Sequence, residues 1–240
     1  MSPCNSKKFQ TVTHCIFDND GTLMDTENIY QMAVQRTIDP FGKEYSYDLK
    51  LRCMGLPIML AAKLLIKELD LPVTPEVYIE SFDKAMIELT SNVSLLPGVR
   101  NLLLHLAHHR VPMAIATGSG RRMFSLKSAP HCNIMPAFHH IVCGCDPELK
   151  AGKPAPDIFL LAAARFAPPA HPKCCLVFED SPNGLQAGLA AGMQVVMIPD
   201  PRCPKELRQG ATQVLESMED FKPEQYGLPP YGNCERFYFG

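Results

Sequence analysis

No stretch of this 240-residue chain approaches the roughly 18 consecutive apolar residues that a membrane-spanning helix needs. An excess of one charge is also missing: 23 Lys and Arg stand against 25 Asp and Glu, for a net charge of -2. That balance gives no electrostatic case for a nucleic-acid polymer or a membrane surface as partner. The basic spots Lys7-Lys8 and Arg121-Arg122 read as solvated surface. No C-x-x-C occurs among the 10 cysteines, so a zinc ribbon has no anchor, and the count falls short of a disulfide scaffold. Nearly all the cysteines, such as Cys174-Cys175 and Cys143-x-Cys145 in their apolar runs, are expected to be small buried hydrophobes in a reducing compartment. His108-His109 and His139-His140 lack the HExxH spacing of a helical zinc site and read as surface or helix-end residues. The N-terminal MSPCNSKKFQ has no apolar segment before Thr11, so no signal peptide is expected and the cytoplasm is the expected location.

What is present is an ordinary globular composition, 46% hydrophobic, enough for a real core. Short, continuous apolar runs recur at 14–17, 111–116, 140–143, 174–178 and 194–198. Such runs suit parallel strands buried on both faces. Helical patterns at 99–109, 154–166 and 182–191 separate the later runs, the last ending at Gly192 as a C-terminal cap. The alternation predicts an α/β fold: a doubly wound, Rossmann-like parallel sheet. One segment breaks it. From Thr26 to about Leu96 the windows 27–37, 58–69 and 75–90 are helical, punctuated by Pro40, Gly42, Pro57 and Pro72. The predicted organisation is a core of residues 1–24 and 97–240 with a helical insert over 25–96. The tail from Phe221, rich in Pro, Gly and aromatics, reads as an irregular strap or a partly disordered segment.

The stretch FDNDGTLMDTE, residues 17–27, follows the first strand and carries two carboxylates, Asp18 and Asp20, around a single Asn. At roughly 4 Å such a pair repels by about 1 kcal/mol in water and about 4 kcal/mol near a protein surface. In an open α/β sheet, ligands bind beyond the carboxyl ends of the strands. The other strand ends supply Thr117-Gly118-Ser119-Gly120, Glu179-Asp180 and, at a helix start, Gly152-Lys153-Pro154. A carboxylate cluster suits a hard cation such as Mg2+, which would relieve the repulsion among Asp18, Asp20 and Asp180. A hydroxyl, free N–H groups and a Lys suit an oxyanion or phosphate. Both halves together point to a phosphate ester, with one carboxylate as nucleophile and the other as general acid and base.

These motifs resemble the haloacid dehalogenase superfamily, whose phosphatases carry D-x-D-G-T-L-x-D-T. Here the sequence has DNDGTLMDT, then Thr117 in IATGS, Lys153 in GKPAPDIF and Glu179-Asp180 in LVFEDSPNG, in order across the core. The resemblance implies that Asp18 forms an aspartyl-phosphate and Asp20 is the general acid/base. Asp18, Asp20 (through its carbonyl) and Asp180 would hold Mg2+. Thr117, the Gly118 N–H and Lys153 would hold the phosphoryl group, and the insert would be a cap. Asp25 is expected as the N-cap of the first insert helix, and Glu27 as a solvated first-turn acid. A loop near Arg52-Cys53-Met54-Gly55 is a candidate for entering the site, with Arg52 either in that role or an ordinary surface charge. FEDSPNGLQAGLAAGMQVVMIPD and DFKPEQYGLPPY look like the pseudouridine-5′-phosphatase branch, although Leu56-Pro57 stands where that branch has a Lys. The implied partner is a small phosphorylated metabolite, first of all pseudouridine 5′-phosphate. A sugar- or polyol-phosphate phosphatase, a phosphomutase, and a non-catalytic phosphometabolite-binding regulator remain alternatives. Oligomeric state has no signal in the sequence.

Overall fold

The computed structural model describes residues 9–90 and 93–232. Lys7, Lys8, Cys4, Cys234 and the end of the tail lie outside the described residues. The sheet has six strands: β1 (His14–Phe17), β2 (Met113–Thr117), β3 (His140–Cys143), β4 (Cys175–Glu179), β5 (Gln194–Met197) and β6 (Gln213–Val214). Their order is β3-β2-β1-β4-β5-β6, and every pairing is parallel. β1 is central, with β2 on one side and β4 on the other, so the chain departs from it in both directions. Parallel strands place all their carboxyl ends on one edge. Asp18, Thr117 and Glu179 therefore share that edge for topological reasons.

Alternation along β1 divides the core. Phe17 joins Leu102, Leu103 and Leu106 on one face, under α5 (Val99–His108). Ile16 joins Ile158, Phe159 and Leu185 on the other, under α7 (Asp157–Ala164) and α8 (Pro182–Ala190). Each fully buried Leu, Ile or Phe contributes about 1.5–3 kcal/mol. Phe17 also stacks on Phe178 at 4.5 Å between centroids, which ties β1 to β4 beneath the site.

Between β1 and α5 lie α1 (Glu27–Ile38), α2 (Tyr47–Cys53), α3 (Ile58–Leu69) and α4 (Pro75–Leu89). They enclose a separate apolar cluster that includes Ala33, Val34, Ile38, Leu65, Phe82 and Met86. Local signals set the helix starts. Thr74 caps α4 by accepting from the Val77 N–H, with Pro75 in the first turn, and Ser46 caps α2 by accepting from the Leu49 N–H. The chain leaves and re-enters the sheet region side by side. The Asp25 N–H donates to the Ser94 carbonyl at 2.9 Å, the Leu96 N–H donates to the Leu23 carbonyl at 3.0 Å, and Met24 bridges Leu95 antiparallel.

Several expectations need correcting. Asp25 is exposed and does not cap α1. Thr26 holds the cap position without a side-chain bond, while the Asp25 backbone is used in the pairing to Ser94. Two short helices had no counterpart in the sequence reading: α2, and α6 (Arg121–Ser128), which presents only Phe124, Lys127 and Ser128 to the interior. The helix expected from Pro154 starts at Asp157, after a turn. Of the described cysteines, Cys15, Cys143, Cys175 and Cys203 are buried. Cys132 and Cys145 are exposed, because they sit in the connections before and after β3 rather than in the sheet. The tail through Gly232 straps the core: Phe221 and Tyr226 are buried, and Phe221 packs on Phe178. Among the described residues no helix is long and apolar enough to cross a membrane.

Candidate active site

Beyond β1 the chain turns back on itself. The Asn19 carbonyl accepts from the Leu23 and Met24 N–H groups, and the Gly21 N–H donates to the Met24 carbonyl. Gly21 has φ +79°, and a Cβ there would collide with the Asp180 carboxylate. Only glycine meets both demands. This turn brings Asp18 and Asp180 together, and Asp18, Glu179 and Asp180 each offer a carboxylate oxygen within 4.8 Å of the others.

Lys153 is the counter-charge. It is 2% exposed; its Nζ lies 2.5 Å from Asp18 Oδ1 and also pairs with Glu179 Oε1. The second Glu179 oxygen accepts from the N–H groups of Asp180 and Ser181 and from the Ser181 hydroxyl, each at 2.9 Å. Both oxygens of Glu179 are thus committed to holding Lys153 and the start of α8. One ammonium does not balance three buried carboxylates. Burial raises the Asp18 pKa, Lys153 opposes it, and nearby Glu179 and Asp20 add to it, leaving the group at about 7. Asp180 is held well above the ordinary carboxylate range by burial and by Glu179, Glu27 and Asp18. Such a donor set fits a divalent cation: all oxygen, crowded, and short of positive charge. Asp18, Asp180 and the Asp20 carbonyl would hold it.

Asp20 lives in a different environment. Its carboxylate pairs with the fully buried Lys127 through Oδ1, and Oδ2 accepts from Ser119 Oγ at 2.9 Å and Thr117 Oγ1 at 3.2 Å. Burial pushes its pKa up, but Lys127, Ser119 and Asn19 outweigh that and the net shift is downward. Lys127 Nζ also reaches Ser119 Oγ at 2.7 Å and Tyr30 Oη at 3.0 Å, so α1 of the insert takes part. The structure therefore brings Asp18, Asp20, Lys153 and Asp180 to one place. Thr117 stands there too, but its hydroxyl faces Asp20 and the Ser119 N–H. Gly118 lines the cavity directly.

Sequence reasoning missed Lys127, Ser119 as a partner of Asp20, and Tyr30. The available signal was the 124, 127, 128 spacing of α6, where a Lys shares the inward face with a Phe. It also misjudged Glu27, which is half-buried and ion-paired with Lys50 at 2.6 Å rather than solvated. Lys50, itself buried, lines the cavity, whereas Arg52 pairs outward with Glu68. The loop after α2 does enter the site. Met54 accepts from Asn183 Nδ2 at 2.6 Å, and Gly55 lies against Ser181.

A cavity of about 280 Å³ joins Asp18, Asp20 and Asp180 to the four insert helices. Two carboxylates in separate electrostatic settings beside a buried Lys give the site the donors and acceptors of hydrolytic chemistry. Comparison with known proteins narrows this. The family model of haloacid dehalogenase-like hydrolases matches residues 15–198. The chain is 48% identical over 94% of its length, and 98% of the relative's, to a protein of Drosophila melanogaster described as a probable pseudouridine-5′-phosphatase. It is 42% identical over 92% of its length, and 75% of the relative's, to (DL)-glycerol-3-phosphatase 1, mitochondrial, of Arabidopsis thaliana. Among solved structures, a hydrolase of Pseudomonas syringae is similar at TM-score 0.76 and 27% identity, over 87% of this chain and 95% of that one. The chain belongs to the haloacid dehalogenase-like hydrolases, on the phosphatase side of that family.

Proposed function

We propose that this phosphatase is a Mg2+-dependent phosphomonoesterase of a small phosphorylated metabolite, with pseudouridine 5′-phosphate as the first candidate and the cytoplasm as its place of action. The observation that carries the reading is Lys153, buried between Asp18 and Glu179, where Asp18 lines the same cavity as Asp20 and Asp180. The relative of 48% identity supports the substrate.

Lys153 occupies Asp18 Oδ1 and leaves Oδ2 as the oxygen for in-line attack on phosphorus. The bound phosphate dianion adds negative charge beside Asp20 and draws a proton from solvent onto it. The P–O bond to the leaving group then breaks as the Asp18 Oδ2–P bond forms, and Asp20 passes that proton to the departing alkoxide. Asp20 then takes a proton from a water that attacks phosphorus, which releases phosphate and restores Asp18. Lys153, the Gly118 N–H and Thr117 answer the negative charge on the phosphoryl oxygens. The cation, when bound, lowers the cost of bringing a phosphate dianion to three carboxylates. Residues 25–96 act as the cap, and its loop at Met54-Gly55 closes on α8 and keeps bulk water from the phosphoenzyme.

A phosphate-release screen with Mg2+ over nucleoside, sugar and polyol monophosphates tests this. Pseudouridine 5′-phosphate is expected to give the highest kcat/KM, and chelation with EDTA to abolish release. Turnover unaffected by EDTA, or binding of phosphate esters without release, would overturn the assignment. Preference for glycerol phosphate would keep the phosphatase and replace its substrate.

A further inference from the structure

Away from the carboxylates the cavity changes character. Val34, Ile58, Ala61, Leu65, Ile79 and Phe82 make its wall apolar. A polyol packed against these six side chains would leave hydroxyls without partners there, and each costs free energy. A planar ring would not. Tyr30 and Tyr78 both lie beside Phe82, with ring centroids 5.7 and 6.4 Å away, so three aromatic rings share this wall.

Besides the charged and amide side chains of Glu27, Gln31, Lys50, Asp83 and Arg122, the lining has one cluster of phenols and a thiol. Tyr45 hydrogen-bonds Cys53, and Tyr78 is near enough to both to bear on their electrostatics. Burial raises all three pKa values, that of Cys53 to about 11, so the phenols and the thiol keep their protons near neutrality. The Tyr78 hydroxyl is the odd member. The residue is 2% exposed, yet its oxygen has no hydrogen-bond partner. Buried Tyr hydroxyls ordinarily find one, and an orphan in a ligand cavity calls for a ligand atom.

We propose that this part of the cavity is a ring-recognition subsite. It takes the planar heterocycle of a nucleoside monophosphate against Tyr30, Tyr78 and Phe82, and the Tyr78 hydroxyl pairs with a polar atom on the ring edge. The subsite deepens the phosphatase reading and rests on it. It also separates this chain's preference from that of a polyol-phosphate phosphatase, since glycerol has no ring to fill the space.

The test compares wild type with Tyr78→Phe, which keeps the ring and removes only the hydroxyl. Substrates are pseudouridine 5′-phosphate, uridine 5′-phosphate and ribose 5-phosphate, the last carrying phosphate and pentose without a heterocycle. Wild-type kcat/KM is expected to be at least about tenfold higher for a nucleotide than for ribose 5-phosphate. Tyr78→Phe is expected to lower the nucleotide values by about three- to tenfold, with ribose 5-phosphate within about twofold of wild type. Equal or better turnover of ribose 5-phosphate by wild type, or an equal loss on all three substrates in Tyr78→Phe, overturns the subsite and leaves the phosphatase standing. Phosphate release from none of these and from no aryl phosphate overturns the phosphatase instead. Calorimetric binding of free pseudouridine then decides the subsite alone: weaker binding to Tyr78→Phe supports it, and no binding to wild type overturns it. Should Tyr78→Phe fail to fold, Phe82→Leu is expected to show the same selective loss, and its absence counts against the subsite.

Discussion

On the sheet side of the cavity, Asp18, Glu179 and Asp180 bring carboxylate oxygens within 4.8 Å of each other around one Lys. On the helix side, Val34, Leu65, Ile79 and Phe82 make much of the lining apolar. The sheet side spends stability on chemistry: burial, and then the neighbouring carboxylates, raise the pKa values of Asp18 and Asp180 above the usual range. The helix side is mostly apolar, and its charged members include a neutralising pair, Glu27 with Lys50, besides Asp83. Turnover should therefore be set by the sheet side on every substrate, and selectivity by the helix side on particular ones.

The largest break in that comparison is Asp18→Asn. It is expected to remove Mg2+-dependent phosphate release from every substrate, aryl phosphates included, by more than about a thousandfold. Near-normal turnover would show that another group attacks phosphorus. Next comes Asp20→Asn. Its loss should reach about 10²–10⁴-fold on alkyl phosphates, whose leaving groups need a proton, and be much smaller on p-nitrophenyl phosphate. Equal losses on both would remove Asp20 from the acid role.

Asp180→Asn sharpens the contrast because its two effects have opposite signs. Activity should fall by about a hundredfold or more as the cation site is lost. Thermal stability of the metal-free protein should rise, by about 1–2 kcal/mol or about 2–8 °C, because a crowded charge disappears. The pH dependence follows from the direction of the shifts. A carboxyl whose folded pKa lies above its unfolded value gives stability that is full at low pH and lost as pH rises through the folded pKa, about 7 for Asp18. The stability gain of Asp180→Asn should therefore grow as pH rises above the ordinary carboxylate range, toward the raised pKa of Asp180, and vanish toward about pH 4. A variant less stable than wild type at pH 8 without metal would mean that the cluster is not under electrostatic stress. The smallest effect is the selective one expected of Tyr78→Phe.

The two sides also differed in how legible they were. Asp18, Thr117 and Glu179-Asp180 close apolar runs, and a parallel sheet sends all such ends to one edge, so sequence and topology together located them. Lys153 was visible through its Gly and Pro neighbours. Lys127 was not, because α6 is short and mostly polar, and its inward face is only three residues. Tyr30, Tyr45 and Tyr78 come from three separate stretches of the insert, and no spacing rule joins them before the helices pack. Glu27 was misjudged for a related reason. Its position in a first turn says solvent, but its partner Lys50 arrives from a helix that carried no pattern long enough to recognise.

The narrow join at Asp25–Ser94 and Leu23–Leu96 has a wider consequence. Two adjacent strands of backbone form the neck through which all four insert helices attach. Cutting there would sever a roof from a machine without opening the sheet. A roof from another member could be spliced between Met24 and Leu95, leaving Asp18, Asp20, Lys153 and Asp180 where they stand. Exchange of the insert, and with it of the residues it gives to the cavity lining, thus requires only one pair of hydrogen-bonded chains to be rejoined.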